Sequence, residues 1–355
     1  MRILFITGRE FSYQRNDVLR RAFSRLGEVE ELGVMDRPKS IFLNSIKLSI
    51  SAVSKLLKNR YDLVFVGFYG QLLMYPVNLF SRNPVLFDAF VSTFDTLSSD
   101  RKIISPRSPV SRILISLDKN ACKRASQVLL DTQAHADYFT DLYKITPSKI
   151  TVIPVGCNED IFYPRSNLST NSITRVLYYS SYLPLHGVGT VVQAANELQD
   201  RPVEFVLIGE GQSYQETRNL AVELGLQNVK FINSIPLEDL ASKIAEADIC
   251  LGGHFGKSEK AARVIPGKVY QMLAMEKAVI ASNRGANLDL MQHEDSAYLC
   301  RPDDPKDLAQ AILRLHKDPD LRRKIAKGGR EAFEAQASEK VITESLKSII
   351  EDMVG

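Results

Sequence analysis

The stretch Leu251-Gly252-Gly253-His254-Phe255-Gly256-Lys257-Ser258-Glu259-Lys260-Ala261-Ala262-Arg263-Val264-Ile265-Pro266-Gly267-Lys268 runs on into Val269-Tyr270-Gln271-Met272-Leu273-Ala274-Met275-Glu276-Lys277-Ala278-Val279-Ile280-Ala281-Ser282. It leaves an apolar run at 248–251 and crosses a loop rich in Gly and cations. It turns helical over 269–274 and returns to an apolar run at 278–281. Strand, helix and strand at this spacing form a βαβ unit, which fits a parallel sheet.

The same alternation extends in both directions. Upstream, Val-, Ile-, Leu- and Phe-rich runs at 3–7, 63–67, 85–87, 127–131 and 150–154 enclose helix-length segments such as 17–26 and 41–58. The pattern restarts with strands at 175–179, 204–208, 229–232, 248–251, 278–281 and 297–300, and helices between them. Apolar runs without alternation suit strands buried on both faces. The fold class read from this is α/β, with two Rossmann-like parallel-sheet domains. The joint falls in 153–166, before a polar stretch reaching Thr174. The domains are expected at 1–165 and 166–335, with a helix in 336–355 packing back on the first. Two such domains facing each other would share a cleft at their strand C-termini, where ligands of parallel sheets bind.

Composition narrows the classes. The 355 residues are 45% apolar and 25% charged, which excludes a disordered chain. The longest apolar runs are strand-sized, far short of the roughly 20 residues a spanning helix needs. Cys122, Cys157, Cys250 and Cys300 are scattered without a C-x-x-C pair, which suits reduced thiols in a cytoplasmic protein. A net charge of +3 gives no field that calls for nucleic acid. It hides a split, however. Residues 1–170 hold 23 Lys+Arg against 16 Asp+Glu, and the remainder 22 against 26.

Strand ends carry the candidate chemistry. No G-x-G-x-x-G follows the first strand, so a dinucleotide site is not supported. Gly209-Glu210-Gly211 is a lone G-x-G, for which a tight strand-to-helix turn is the plain reading. Two loops lead from strands into helices, where free N–H groups favour anions. One is Ser180-Ser181-Tyr182-Leu183-Pro184-Leu185-His186-Gly187. The other is the loop quoted above, whose Lys257, Lys260, Arg263 and Lys268 suit a diphosphate.

At this point a resemblance becomes specific. The run 269–282 resembles the signature of retaining glycosyltransferases of the GT-B fold, family GT4. Lys149-Ile150-Thr151-Val152-Ile153-Pro154-Val155-Gly156 is similar to their interdomain stretch, and Leu183-Pro184-Leu185-His186-Gly187 to the loop opening their second domain. Gly209-Glu210-Gly211 and Arg301-Pro302-Asp303-Asp304-Pro305 also match in order. The likeness covers roughly 120–335. It implies sugar transfer from a nucleotide-sugar donor to an acceptor hydroxyl of a glycan, a lipid-linked carrier or a small molecule, with retention.

The resemblance also implies roles, and this chain departs from several. The family's Glu-x7-Glu pair falls on Arg263 and Gln271. A variant with Pro-x-Lys before the helix resembles Pro266-Gly267-Lys268, in which cations hold the diphosphate and Val264 and Ile265 offer backbone N–H groups. The usual phosphate-binding Arg and Lys fall on Ser181 and His186, with Gly187 behind them. Lys260, Arg263 and Lys268 are expected to restore the missing charge. On the acceptor side no family His is found. Asp88 and Asp95 are the candidates for orienting hydroxyls or taking the acceptor's proton, with helix or loop capping as the plain alternative. Gly8, Arg9, Tyr69 and His135 are expected near the same cleft. Cations at the phosphates would make a divalent metal unnecessary, so neither metal nor cofactor is expected.

Helical spacing over 40–58 puts Phe42, Ile46, Ile50, Val53 and Leu57 on one face, which ordinarily packs on its own sheet. Residues 101–124 hold seven cations (Arg101, Lys102, Arg107, Arg112, Lys119, Lys123, Arg124) against Asp118. Such a patch suits an anionic membrane surface, so a cytoplasmic protein, peripheral on the membrane's inner face, is one expectation. The substituted family positions leave two alternatives open: a non-catalytic nucleotide-sugar-binding subunit and a nucleotide-sugar epimerase.

Overall fold

The computed structural model describes residues 1–36, 40–100, 103–165 and 173–354. Arg101, Lys102 and the stretch 166–172 lie outside the described residues. The chain forms two compact units, Met1–Gly156 with Glu339–Gly355, and Cys157–Ser338. The division falls at Gly156 rather than at 165. Phe162 is buried, and the Cys157 thiol lies 3.8 Å from the Tyr270 carbonyl oxygen, so this stretch packs with the second unit.

The first unit holds strands β1 (Arg2–Glu10), β2 (Glu28–Val34), β3 (Leu63–Val66), β4 (Val85–Asp88), β5 (Gln127–Leu130) and β6 (Ile150–Val152). They form one parallel sheet in the order β2-β1-β3-β4-β5-β6. The second holds β7 (Thr174–Tyr179), β8 (Val203–Ile208), β9 (Val229–Ile232), β10 (Ile249–Gly253), β11 (Ala278–Ser282) and β12 (Tyr298–Cys300), in the order β12-β11-β10-β7-β8-β9. Every pairing in both sheets is parallel. Strand order therefore reverses between β1 and β3 in one unit and between β7 and β10 in the other. Crevices outside the carboxyl ends at such switch points are where open α/β sheets bind ligands.

The central strands are buried on both faces, as their unbroken apolar runs require. Leu63, Val64, Phe65 and Val66 of β3 expose nothing to solvent. The faces belong to two cores. One gathers Phe5, Phe23 and Phe65, with Phe5 and Phe65 stacked at 4.6 Å. The C-terminal helix Glu339–Val354 completes that core with Ile342, Leu346, Ile349 and Ile350. Its first residue anchors it, since Glu339 accepts from Arg21 at 2.7 Å and from Arg25 at 2.6 Å on the helix Gln14–Leu26.

One helix departs from its expected orientation. Ser45, Leu48 and Ala52 of the helix Ile41–Lys58 face the sheet, while Ile50 and Leu57 are 68% and 67% exposed. The apolar arc read from the sequence thus points to solvent. Two small residues on the inner face let the helix backbone approach the sheet. Its neighbours Leu4, Ile6 and Val64 share a core with Leu48 and Ala52.

A buried ion pair ties the end of β4 to the chain beyond β6. Arg15, fully buried, donates to both carboxylate oxygens of Asp88 at 2.8–3.1 Å and to the carbonyl of Ile153 at 2.7 Å. Removing one partner of such a pair strands the other charge. Asp88→Ala is expected to cost about 3–5 kcal/mol in urea unfolding, and Arg15→Met in the same chain to recover most of it. Leu346→Ala is expected to cost about 2–5 kcal/mol. Hydrogen exchange should then quicken in the helix Gln14–Leu26 and leave strands β7 to β12 unchanged.

Candidate functional site

In the second unit, the turn after β7 and the loop after β10 meet at the switch point. They are joined backbone to backbone: the N–H of Phe255 reaches the carbonyl of His186 at 3.3 Å, and that of Gly256 reaches Leu185 at 3.1 Å. Glycine is required on both sides. A Cβ on Gly187 would lie 2.5 Å from the Phe255 carbonyl carbon, and one on Gly256 would lie 2.6 Å from the Leu185 oxygen. Gly187, at φ +65°, also starts the helix Val188–Asn196.

This contact brings two histidines together. The His186 and His254 rings stack with centroids 5.3 Å apart and planes 2° from parallel. His186 Nδ1 accepts from the Leu183 N–H at 3.3 Å, which leaves Nε2 as its donor. Its carbonyl accepts from the Tyr178 hydroxyl at 2.7 Å. Over the Tyr178 ring, 3.8 Å from its centre, lies the Lys268 amine. Lys268 is buried, and neither its Nζ nor His254 Nδ1 has a hydrogen-bond partner among the described residues. Burial holds the Lys268 amine well below the ordinary lysine range. Burial likewise pushes both imidazoles well below 6.5, and Lys268 and Lys260 add to this by repelling a proton. The cluster is therefore short of negative charge: an anion placed there would supply partners and restore protons.

The other residues predicted for this unit fall around the cluster. Lys260 and Arg263 stand half-buried on the short helix Glu259–Arg263. Val264 and Ile265 link it to the helix Gly267–Ala274, which carries Lys268 at its start. Ser181 is exposed on the turn after β7. Gln271 is buried, and its Oε1 accepts from the Tyr179 hydroxyl at 2.6 Å, so that oxygen is already engaged within the unit. Lys257 points elsewhere, pairing with Asp303 at 2.5 Å. Gly209 and Gly211 serve close approach: a Cβ on either would meet the carbonyl oxygens of Ser180 or Ser181 at about 2 Å. Asp304 caps the helix Pro305–Lys317 through the Asp307 N–H. His254 was absent from the sequence-derived candidates. Its cue was position alone, one residue beyond a strand.

In the first unit the candidates form two groups. At the β1/β3 switch point Gly8 donates to the Phe68 carbonyl at 2.9 Å, and Tyr69 sits at φ 62°. Tyr13, Phe68, Tyr69 and Phe90 pack as an aromatic group, with the Arg9 guanidinium 4.5 Å from the Tyr13 ring centre. Burial pushes the Tyr13 hydroxyl up to about 12. The second group lies beyond β4 and β5. Asp88, read as a proton acceptor, has both oxygens on Arg15 and no exposed side-chain surface. Burial pushes its carboxyl up and Arg15 opposes this. Asp88 thus clamps the end of β4 to Arg15 on the helix Gln14–Leu26. Asp95 is buried in the turn capped by Ser92. That turn is held by Asp118, which accepts from the N–H groups of Thr93 and Phe94 and from the hydroxyls of Ser92 and Tyr143. His135 lies in the first turn of the helix Gln133–Tyr143, and its Nδ1 is 2.6 Å from Asp131 Oδ1. A carboxylate on one ring nitrogen fixes the imidazole's orientation and leaves the other for chemistry.

Comparison with known proteins bears on both units. Residues 174–318 match the family model of glycosyl transferases group 1. The chain is 26% identical over 239 residues to an MMP alpha-(1->4)-mannosyltransferase of Mycolicibacterium hassiacum, covering 65% of this chain and 56% of that protein. It is 25% identical over 241 residues to a D-inositol 3-phosphate glycosyltransferase of Corynebacterium jeikeium, covering 61% and 54%. The chain thus spans little more than half the length of these relatives. Among solved structures, sucrose-phosphate synthase from Thermosynechococcus elongatus superposes with a TM-score of 0.77 at 18% identity, over 99% of this chain and 98% of that one. Anabaena HepE in complex with UDP and glucose gives 0.74 at 17%, over 99% and 100%. The two parallel sheets are the Rossmann-like pair of the GT-B fold, as the sequence pattern led us to expect. The span that matches the glycosyl transferases group 1 model, residues 174–318, is the one that carries His186, His254 and Lys268.

Proposed function

We propose that this chain transfers a sugar from a nucleotide-sugar donor to an acceptor hydroxyl, and that the second unit binds the donor's diphosphate. The observation that carries the reading is the Lys268 amine, buried with no hydrogen-bond partner among the described residues, beside the stacked His186 and His254 at the β7/β10 switch point. A diphosphate supplies what these groups lack. In transfer, the charge that develops on the departing nucleoside diphosphate meets donors already in place, which lowers the barrier without reorganisation. Lys260 and Arg263, on the adjoining short helix, add positive charge. We propose on this basis that leaving-group stabilisation comes from the cations and needs no divalent metal. Retention of configuration follows the family resemblance and is read from the anomer formed. The acceptor falls to the first unit, where His135, oriented by Asp131, takes the proton-accepting role first assigned to Asp88 and Asp95.

The donor base is found by thermal-shift screening with UDP, GDP, ADP and their sugars, since a ligand stabilises in proportion to the logarithm of its concentration over Kd. Lys268→Met separates stability from function. It removes an unsatisfied buried amine, so the nucleotide-free protein is expected to gain about 1–2 kcal/mol. Losing a charge-assisted contact should weaken nucleotide binding about 10–100-fold. Lys268→Glu should abolish it, and unchanged affinity in either variant overturns the assignment.

Proton linkage gives a second test. His186 and His254 are held below 6.5 in the folded protein, so the unfolded chain takes up protons first as pH falls below that value. Stability contributed by these groups is present above 6.5 and lost on acidification. A bound diphosphate raises all three depressed groups. Nucleotide binding should therefore take up protons, seen as an enthalpy that changes with the buffer's ionisation heat, and should tighten as pH is lowered towards 6.5. Proton release on binding would contradict the site.

A further inference from the structure

The helix Ile41–Lys58 shows solvent an apolar face that no described residue of its own unit covers. Phe42, Ile50 and Leu57 are 61%, 68% and 67% exposed, with Leu43 and Ile46 between them. Exposed aliphatic side chains also stand on neighbouring helices. Helix Met74–Phe80 packs on Ile41–Lys58, and Pro109–Arg124 packs on Met74–Phe80. They add Leu79, 76% exposed, and Ile113, 67% exposed. Large aliphatic side chains concentrated this way mark a surface that meets something apolar.

Charge decides what that is. The eighteen residues of Ile41–Lys58 include no acid. The single acid of Pro109–Arg124 is Asp118, which is buried and turned inward onto the Ser92 turn. What these helices show around the aliphatic patch is Lys47, Lys58, Arg112 and Lys123, all exposed. Lys55 is excluded because it pairs with Glu30. A second copy of this face would set cations against cations. Aliphatic centre with cationic rim matches an anionic bilayer, which takes the side chains into its acyl boundary and the ammonium groups at its headgroups. The apolar character also runs inward. A pocket of about 140 Å³ opens beside Ile41 and Ser45 and is walled by Leu72, Val91, Leu97 and Leu117. Its Tyr69 wall follows β3 by three residues, at the ligand-binding edge of the sheet.

We propose that the first unit docks on an anionic lipid bilayer through the outward face of Ile41–Lys58, with the pocket beside Ile41 open to the apolar end of a bilayer-borne molecule. The surface is independent of the donor site and stands or falls separately from it.

The chain has no tryptophan, so a single introduced one reports alone. Ile50→Trp and Leu57→Trp sit on the face, and Val222→Trp, at a 78% exposed position on the second unit's helix Tyr214–Glu223, is the control. With vesicles containing phosphatidylglycerol, emission from the two face reporters should shift to the blue and be quenched by lipids brominated along the acyl chain. The control should not respond. Phosphatidylcholine vesicles should bind far more weakly, and Lys47→Gln with Lys58→Gln should reduce partitioning on anionic vesicles about tenfold or more. A brominated fatty acid below its micellar concentration should quench a tryptophan placed at Leu72 in the pocket wall. No shift in the face reporters on anionic vesicles overturns the docking. A shift that grows with protein concentration in the absence of lipid assigns the face to a second copy and also overturns it. Failure of the fatty acid to quench at Leu72 removes the pocket from the proposal.

Discussion

The second unit is organised by one constraint: an amine stays buried with no hydrogen-bond partner among the described residues. Leaving a lysine without a hydrogen bond in a protein interior costs on the order of 1–3 kcal/mol, and leaving it charged costs more. The fold lowers that cost by seating the Lys268 amine over the face of Tyr178, while burial holds it well below the ordinary lysine range. The same logic governs its neighbours. Two imidazoles stacked at 5.3 Å beside a lysine disfavour one another's protonation, which adds to burial in pushing the histidines down. The backbone contact between His186 and Phe255 is what puts them there. It is possible only because Gly187 and Gly256 have no side chains.

Much of this architecture is legible in the sequence because strands buried on both faces leave an unmistakable apolar signature. The runs at 63–67 and 278–281 could be placed without structure, and β3 and β11 lie there. The cationic loop after β10 was equally legible, since glycine, proline and lysine cluster between a strand and a helix. What sequence could not supply was direction. Asp88 stands where a catalytic carboxylate would, at a strand end. Only the fold reveals that Arg15, 73 positions earlier, occupies both of its oxygens. Gln271 falls on the second Glu of the family's pair, and Tyr179, 92 residues earlier, holds its amide oxygen. Long-range partners of this kind carry no periodic trace.

The helix Ile41–Lys58 shows a different limit. Its apolar period is clear, but period alone does not say which face goes inward. The inner face, Ser45, Leu48 and Ala52, is short on apolar surface and long on closeness. A sheet can be covered by small residues at close range as well as by large ones further away, because packing density and not side-chain size sets the contact. The helix therefore had two faces able to serve as the buried one. The cost of choosing the smaller is an exposed aliphatic arc, which a protein tolerates when something else covers it.

The cluster also bears on the positions where this chain departs from the pattern that the family resemblance implies. At the family's acidic positions this sequence carries Arg263 and Gln271, and at its basic pair it carries Ser181 and His186. Fixed cations packed close to one another repel, and that repulsion would weigh on the ligand-free fold at every pH. Groups whose protonation burial opposes, as at Lys268, His186 and His254, add less to it than further fixed cations would. Their electrostatic attraction is created by the ligand itself, at the moment it displaces water from the cluster. Binding then depends on proton supply, and the free energy of protonating Lys268, His186 and His254 is subtracted from the affinity. A site built this way gives up some affinity relative to fixed arginines. In return its ligand-free form carries less internal charge, which suits a cluster buried against Tyr178 and closed by two glycine contacts.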